Sequence, residues 1–317
     1  MKRNFGFMCV MLLAMATLTA CLDSDNDANQ DRWRPVAPGL QIYNATVSQN
    51  HIALQPSDIA IRLAILRAEA AKQGKLDKLD MVVIPNGGNV KMLLFGANTK
   101  ITAEKDGYLI SYVGGGGVNT LDSYARMGDI RIRTHGVGLE QTNATTRWTV
   151  ELASAKMTFD DRHYDKTMMT STGDTYIYNR GTAYEIGFSG SVAYVRPEYT
   201  SDWKGTFIWT PATPADLSFS TLQKSIFKLD GAGSGRSFWT MNGKASANMS
   251  YAVTNGKYDP SIAGSAQIVA GTEVCRLTNP ADYNVADYPA SDVAVSWSVT
   301  NNRLYYTVDY NGFSVSM

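Results

Sequence analysis

Apolar and polar residues alternate with a period of two along most of this 317-residue chain, a pattern typical of half-buried β-strands. In one such segment, Ile130 and Ile132 alternate with Arg131 and Arg133. Because a strand of this kind has one face in the core and one in water, we expect antiparallel sheets. The apolar positions of the later segments are Trp148, Val150 and Leu152; Tyr184, Ile186 and Phe188; Val293, Val295, Trp297 and Val299; Leu304, Tyr306 and Val308; and Phe313 and Val315.

Three Asn-Gly dipeptides separate alternating segments, at Asn242-Gly243, Asn255-Gly256 and Asn311-Gly312. Asn-Gly supplies the positive φ angles of a type I′ turn, so each dipeptide predicts a β-hairpin. Closely spaced strands with few helical patterns favour a mainly β fold, an antiparallel β-sandwich or barrel. Two short apolar runs, residues 81–84 and 92–95, predict further strands that are buried.

One amphipathic helix is predicted in the N-terminal part of the chain. It begins at Pro56-Ser57-Asp58 with Ser57 as the N-cap, runs toward Lys72 and stops at Gly74. We expect its apolar stripe to cover a sheet and its charged residues to face water. The stripe consists of Ile59, Ile61, Leu63, Ile65, Leu66 and Ala70, and the charged residues are Arg62, Arg67, Glu69 and Lys72.

The first residues have the features of a bacterial export signal. Lys2 and Arg3 precede an apolar run over residues 5–18, which is short for a membrane span and is typical of a signal peptide. The sequence Leu18-Thr19-Ala20-Cys21 that follows resembles the lipobox of bacterial lipoproteins. The resemblance implies cleavage before Cys21, lipid attachment to Cys21 and anchoring in the outer membrane.

The residues directly after Cys21 are acidic. Asp23, Asp25 and Asp27 lie within Leu22-Asp23-Ser24-Asp25-Asn26-Asp27, which resembles the acidic surface-export signal of Bacteroidota lipoproteins. This resemblance implies a position on the cell surface. The alternative is a solvated acidic tether on a lipoprotein that faces the periplasm.

The chain is predicted to consist of four segments. Residues 1–20 form the lipoprotein signal peptide, and residues 21–39 form an acidic, proline-containing tether. Residues 40–210 form a domain of the helix plus β-strands, and residues 211–317 form a second, C-terminal antiparallel β domain. The boundary is placed at Pro211 and Pro214 because proline interrupts strand pairing.

The composition excludes some classes of protein. Hydrophobic residues make up 44% of the chain, which excludes disorder throughout. Lys+Arg and Asp+Glu are equal at 29 each, so the chain lacks the basic excess expected of a nucleic-acid-binding protein. Of the three cysteines, Cys9 leaves with the signal peptide and Cys21 takes the lipid, so Cys275 has no partner for an intramolecular disulfide.

Few residues suggest catalysis, and we predict no enzyme activity, no metal and no cofactor. The densest polar cluster, Asp160-Asp161-Arg162-His163-Tyr164-Asp165, could provide an acid–base pair, but a solvated hairpin end explains it more simply. His51 and His135 have no metal-ligand spacing. The glycine-rich segments at residues 114–117 and 231–236 are interpreted as flexible connections.

The chain contains 17 tyrosines and 6 tryptophans, enough to form a stacking platform for sugars. Trp203 lies in a polar context typical of a turn, Ser201-Asp202-Trp203-Lys204-Gly205, and Tyr199 could accompany it as an exposed pair. The alternative is that Trp203 covers a sheet end. Four other tryptophans fall on apolar faces and are expected in the core: Trp148, Trp209, Trp239 and Trp297.

Together these features predict a lipid-anchored envelope lipoprotein with a noncatalytic binding or adhesion role. Its expected partners are the membrane, through the lipid on Cys21, and a glycan, a host or matrix protein, or an envelope subunit. One alternative is a polysaccharide hydrolase whose carboxylates come together from distant strands. Another is a β-barrel that binds an apolar ligand.

Overall fold

The computed structural model describes residues 55–113, 125–138, 147–153, 157–161, 164–171, 175–194, 199–211, 219, 227–239, 245–258, 268–278, 292–300, 303–310 and 313–316. Within these ranges the chain forms two α-helices, a 3₁₀ helix and fifteen β-strands, and Phe219 is also helical. The helices are α1, residues 55–72, and α2, Val90–Phe95, and the 3₁₀ helix is Leu79–Met81. The strands are β1, Thr99–Glu104; β2, Gly107–Tyr112; β3, Ala125–Arg133; β4, Arg147–Leu152; β5, Met157–Asp161; β6, Tyr164–Ser171; β7, Thr175–Asn179; β8, Tyr184–Tyr194; β9, Tyr199–Pro211; β10, Phe227–Trp239; β11, Ala245–Tyr258; β12, Ile268–Thr278; β13, Asp292–Thr300; β14, Arg303–Tyr310; and β15, Phe313–Ser316.

The strands belong to one antiparallel sheet in which most neighbours along the chain also pair, except that β4 pairs with β7 and β6 with β8. The order is β1-β2-β3-β4-β7-β8-β9-β10-β11-β12-β13-β14-β15. β5 and β6 lie beside this path, because β3 pairs with β4 through residues 130–133 and with β5 through residues 125–127. β8 similarly pairs with both β7 and β6. The predicted mainly β, antiparallel fold is therefore confirmed.

The alternating segments identified in the sequence coincide with β3, β4, β8, β13, β14 and β15. In β3, Ile130 and Ile132 are fully buried while Arg131 and Arg133 remain partly exposed on the other face. Trp148, Trp209 and Trp297 are buried as expected. The side chain of Trp239 lies outside the described residues.

Helix α1 ends at the predicted residue. Gly74 has a φ of 62°, and its N–H donates to the carbonyl of Ala71, while the N–H of Lys75 donates to the carbonyl of Ala70 at 2.8 Å. These two bonds form a Schellman motif with a left-handed glycine after the last helical residues. The prediction for the other end is wrong: residues 55 and 56 are already helical, so Ser57 lies inside the helix and is not its N-cap.

Helix α1 is enclosed on all sides over its first twelve described residues, 55–66, each of which is buried. Arg62, which we expected to face water, is 2% exposed. Its Nε donates to Oδ2 of Asp58 at 2.7 Å, and its Nη1 donates to the carbonyl of Leu94 in α2 at 2.8 Å. The charged residue is therefore buried together with an ion-pair partner, as a buried charge requires.

The two short apolar runs do not form the predicted strands. Residues 92–95 belong to α2, which begins after Asn89, whose Oδ1 accepts a hydrogen bond from the N–H of Met92 at 2.9 Å. The helix ends at Gly96, where φ is 91°. In the run 81–84, Met81 ends the 3₁₀ helix and Val83 makes an isolated bridge to Asn89. An N-cap residue and a closing glycine thus outweigh the strand-like apolar run.

Asn255-Gly256 forms a bulge inside β11 and not the predicted hairpin turn. Between the pairs Thr254↔Thr272 and Lys257↔Ala270, β11 has one residue more than β12. Asn255 has a φ of 52°, and its N–H donates to Oδ1 of Asp230 at 2.8 Å. The positive φ that we assigned to a turn is therefore used to accommodate the extra residue.

The other two Asn-Gly dipeptides connect paired strands, as predicted. β14 and β15 pair through Tyr310↔Phe313, with Asn311-Gly312 between them. β10 and β11 pair through Trp239↔Ala245, with Asn242-Gly243 in the connection. The glycine-rich segment 231–236, which we interpreted as a flexible connection, lies inside β10, so that interpretation is wrong.

Buried apolar residues from Ile59 in α1 to Val308 in β14 form one hydrophobic cluster. β9 and β10 pair over their full lengths on either side of residues 212–226. The division into domains 40–210 and 211–317 stays a prediction. Among the described helices, none is long and apolar enough to span a membrane.

Candidate functional site

The most developed cluster of charged and aromatic side chains on the described surface lies on the outer side of five strands. In β3, β4 and β7, buried residues such as Ile132, Trp148 and Ile177 alternate with residues that point away from the core. We call the resulting surface the arginine–tyrosine face. It consists of Glu104, Arg131, Arg133, Arg147, Glu151, Tyr176, Tyr178, Arg180 and Glu185.

Two arginines of β3 are held in paired hydrogen bonds to carboxylates. Arg131 donates to Glu104 of β1 through Nε at 2.7 Å and Nη2 at 3.1 Å. Arg133 donates to Glu151 of β4 through Nε at 2.7 Å and Nη2 at 3.2 Å. Such bidentate pairs fix the plane of the guanidinium as well as its position.

A second group of side chains is centred on Glu185 of β8. The hydroxyl of Tyr176 donates to Oε1 of Glu185 at 2.8 Å, and Nε of Arg180 donates to Oε2 at 3.0 Å. Nη2 of Arg180 also donates to Oε2. The guanidinium of Arg180 lies 4.5 Å from the ring centroid of Tyr178. One carboxylate therefore orients an arginine and two tyrosine rings.

Arg147, at the start of β4, has a different environment. Its guanidinium carbon lies 4.3 Å from the ring centroid of Tyr176, a cation–π contact, and its strand partner in β7 is Tyr178. Its side chain is exposed. Within the described part of the chain, no oxygen accepts a hydrogen bond from this guanidinium.

The ion pairs shift the pKa values of the groups that form them. The hydrogen bond from Arg131 lowers the pKa of Glu104, and the same bond raises the pKa of Arg131. Partial burial favours the neutral form of Glu185, but the hydrogen bonds from Arg180 and Tyr176 outweigh it and lower the pKa of this carboxyl. Desolvation, followed by the bond to Glu185, raises the pKa of the Tyr176 hydroxyl. The face therefore keeps its charges near neutral pH.

The described residues contain no group of three His, Cys, Asp or Glu side chains that could hold a metal ion. His135, beside the arginine–tyrosine face, has one carboxylate and one hydroxyl near its ring. Its Nδ1 lies 3.5 Å from Oδ2 of Asp106, and its Nε2 lies 3.0 Å from the hydroxyl of Thr149. One carboxylate and one imidazole do not form a metal site.

The predicted stacking residues Tyr199 and Trp203 lie inside β9, so the turn that we expected around Trp203 is wrong. Trp203 pairs with Gly190 of β8 on one side and with Gly235 of β10 on the other. The side chains of Tyr199 and Trp203 lie outside the described residues, and the stacking site stays a prediction. Cys21 also lies outside the described residues.

The cluster at residues 160–165 lies at the end of a hairpin, as the simpler interpretation predicted. β5 and β6 pair there through Asp161↔Tyr164. The side chains of this cluster lie outside the described residues.

Sequence reasoning missed the arginine–tyrosine face because its members come from strands far apart in the chain. Arg131 and Glu104, for example, are separated by 27 residues, and Arg133 and Glu151 by 18. A weak signal was present: arginines and glutamates occupy the polar positions of β3 and β4 opposite apolar core positions. Only the strand register shows which charges meet.

No protein-family model, curated protein or solved structure matches this chain. The function is therefore argued from the residues themselves.

Proposed function

We propose that the chain is a lipid-anchored envelope lipoprotein of the outer membrane, exposed on the cell surface, with a noncatalytic binding or adhesion role. The lipobox ending at Cys21 and the acidic residues that follow it support the anchor and the location. A glycan, a host or matrix protein, or an envelope subunit is the partner class.

The observation that carries the binding role is the arginine–tyrosine face. Three of its four arginines and Tyr176 are held by carboxylates before any ligand arrives, at Arg131–Glu104, Arg133–Glu151, Arg180–Glu185 and Tyr176–Glu185. Binding surfaces gain affinity from such preorganisation, because fewer side chains have to be ordered on association. Four of the five strands beneath the face, β3, β4, β7 and β8, are paired on both sides, which makes this part of the surface rigid.

The nature of the groups favours binding over catalysis. The carboxylates of Glu104 and Glu185 are engaged by guanidinium groups that lower their pKa values, so neither is suited to act as a general acid near neutral pH. A hydrolase would need one carboxyl with a raised pKa beside a second, ionised carboxylate.

Two experiments test the proposal. For the anchor, the full-length chain and its Cys21→Ser variant are expressed in a lipoprotein-processing bacterium with labelled palmitate. We expect label and membrane fractionation in the parent and neither in the variant. External protease should degrade the parent in intact cells; protection would place the protein on the periplasmic side and contradict surface exposure.

For the binding role, the full-length protein in detergent micelles is applied to glycan and extracellular-matrix arrays, with heat-denatured protein as the control. Saturable binding by the folded protein alone is expected. Uniform silence on both arrays would overturn the binding role, and release of new reducing ends from a polysaccharide would overturn the noncatalytic assignment.

A further inference from the structure

We infer that the ligand of the arginine–tyrosine face is a carboxylate-bearing glycan, and that its carboxylate binds Arg147. The inference rests on the proposed binding function and names the ligand class for that site.

The arginine–tyrosine face contains four arginines, and Arg147 differs from the other three. Arg131, Arg133 and Arg180 each have a carboxylate partner within hydrogen-bonding distance. Arg147 contacts the ring of Tyr176 and finds no such oxygen among the described residues. A cation–π contact balances charge but leaves the N–H donors of a guanidinium without an oxygen acceptor. A ligand carboxylate beside Arg147 would complete the pattern of the other three.

The guanidinium of Arg147 is held in position by neighbouring side chains. The contact with Tyr176 restrains the guanidinium, and the hydroxyl of Tyr176 is in turn held by Glu185 at 2.8 Å. Arg147 is therefore oriented by the protein while its donors stay open to solvent. Bidentate recognition of a planar carboxylate requires such a restrained guanidinium.

Most of the strand that carries Arg147 is already paired with its neighbours. Peptides commonly bind β proteins by pairing with a free sheet edge. Arg147 itself pairs with Tyr178 of β7, and residues 149–152 of β4 pair with β3. This pairing favours a ligand on the face of the sheet, where Tyr176 and Tyr178 offer apolar rings with polar hydroxyls. A sugar ring, with C–H groups on its faces and hydroxyls at its edge, suits such rings.

The charges of the face favour a ligand of low charge density. The face combines four arginines with three glutamates, so one positive charge is left without a carboxylate among the residues that define it. Glu151 and Glu185 would repel a ligand with closely spaced sulfates or phosphates. A polymer with no more than one carboxylate on each sugar fits this balance better.

The experiment measures binding of three unsulfated carboxylate polymers, polygalacturonate, alginate and hyaluronate, to the full-length protein in detergent micelles. Fully methyl-esterified polygalacturonate is the matched ligand control, because it keeps the sugar and removes the charge. Arg147→Gln is the test variant, and Lys100→Gln is the control variant, since Lys100 is an exposed residue of β1 that does not belong to the arginine–tyrosine face. Both substitutions remove one positive charge, and thermal unfolding verifies that each variant is folded.

We expect at least one of the three polymers to bind. Arg147→Gln should weaken that binding roughly tenfold or more, since a charge-assisted contact is lost. Lys100→Gln should weaken it no more than about twofold, through the general electrostatic field of the protein. If polygalacturonate is the ligand, its ester should bind at least tenfold less tightly.

Equal weakening by the two variants would overturn the inference, since it would show a general charge effect. If the methyl ester bound as tightly as polygalacturonate, the assignment of a carboxylate would be overturned. If poly-glutamate bound with the same dependence on Arg147, the assignment of a glycan would be overturned. If none of the three polymers binds while the arrays give another ligand, the inference fails and the proposed function stands. If the arrays are silent as well, both fail.

Discussion

The ring of Tyr176 in β7 covers Gly187 of β8 so closely that a Cβ atom built on Gly187 would lie 2.2 Å from Cε1 of the ring. The two residues are direct partners in the strand register. Glycine at position 187 is therefore what allows Tyr176 to lie against the sheet, where it contacts Arg147 and donates to Glu185. The geometry of the arginine–tyrosine face therefore depends on position 187 being a glycine, which has no Cβ atom.

Gly187→Ala should displace the Tyr176 ring and lower the free energy of unfolding by about 1–3 kcal/mol, since the added methyl overpacks the site. Chemical denaturation measures this cost. The matched control is the same substitution in a Tyr176→Ala background, where the methyl has room and the cost should largely vanish. Equal costs in both backgrounds would show that the ring does not cause the effect.

The ion pair of Glu185 should make stability depend on pH. Its pKa is lowered in the folded protein, so its stabilising contribution is present above the ordinary value of 4.5 and is lost as the pH falls through the folded pKa. The difference in unfolding free energy between the parent and Glu185→Gln should therefore shrink as the pH falls below 4.5. Denaturation curves at a series of pH values measure it, and a difference that is constant or grows toward acid would contradict the assignment.

Asp58→Asn should be strongly destabilising, because it removes the negative charge beside Arg62 inside the core. Breaking a buried pair in this way typically costs about 3–5 kcal/mol. Lys72→Met is the matched control, since Lys72 pairs with Glu69 at 3.7 Å on the surface and should change stability by less than about 0.5 kcal/mol. A cost below about 1 kcal/mol for Asp58→Asn would show that the buried pair contributes little.

Gly74→Ala should lower the unfolding free energy by about 1–2 kcal/mol, because φ of 62° is unfavourable for a residue with a Cβ. A Cβ at this position has no atom within 4 Å, so the effect isolates backbone strain from packing. Gly74→Asn should cost less than Gly74→Ala, since asparagine tolerates the left-handed region. A larger loss of unfolding free energy in Gly74→Asn than in Gly74→Ala would contradict the role of Gly74 in ending the helix.

Much of the sheet could be predicted because its strands carry a simple pattern. The alternation of Ile130 and Ile132 with Arg131 and Arg133 locates β3, and Asn311-Gly312 locates the hairpin between β14 and β15. The same local signal was ambiguous at Asn255, where a positive φ serves a bulge as well as a turn. The Asn-Gly dipeptide permits a positive φ angle, but the pairing of the neighbouring strands determines whether that angle forms a turn or a bulge.

The errors around the helices have a similar origin. The short apolar run at residues 92–95 suits a strand or a helix turn, and the cap at Asn89 decides for the helix. Arg62 looked solvent-exposed because helical periodicity describes one buried stripe, whereas α1 is covered on every side over residues 55–66. The partners that make burial of Arg62 tolerable are Asp58, one turn away, and a carbonyl 32 residues further along.

The candidate site was the least predictable part, because it depends on register between strands. Arg147, Tyr178 and Glu185 meet only because β4, β7 and β8 are neighbours in the sheet. Each residue alone is an ordinary polar position on a strand. The sequence predicts an aromatic stacking pair at Tyr199 and Trp203. On the arginine–tyrosine face, the described contacts between arginines and aromatic rings involve Tyr176 and Tyr178 instead.

Helix α1 is synthesised before the strands with which it shares the core. A polypeptide made from its N-terminus exposes residues 55–66 before the strands that share their core, from β2 to β14, have been synthesised. An exported chain would therefore carry an apolar segment in need of protection until more than two hundred further residues had followed. Truncations that remove the strands of this core should consequently leave the earliest-made segment exposed, and such fragments should be captured by chaperones and degraded by proteases.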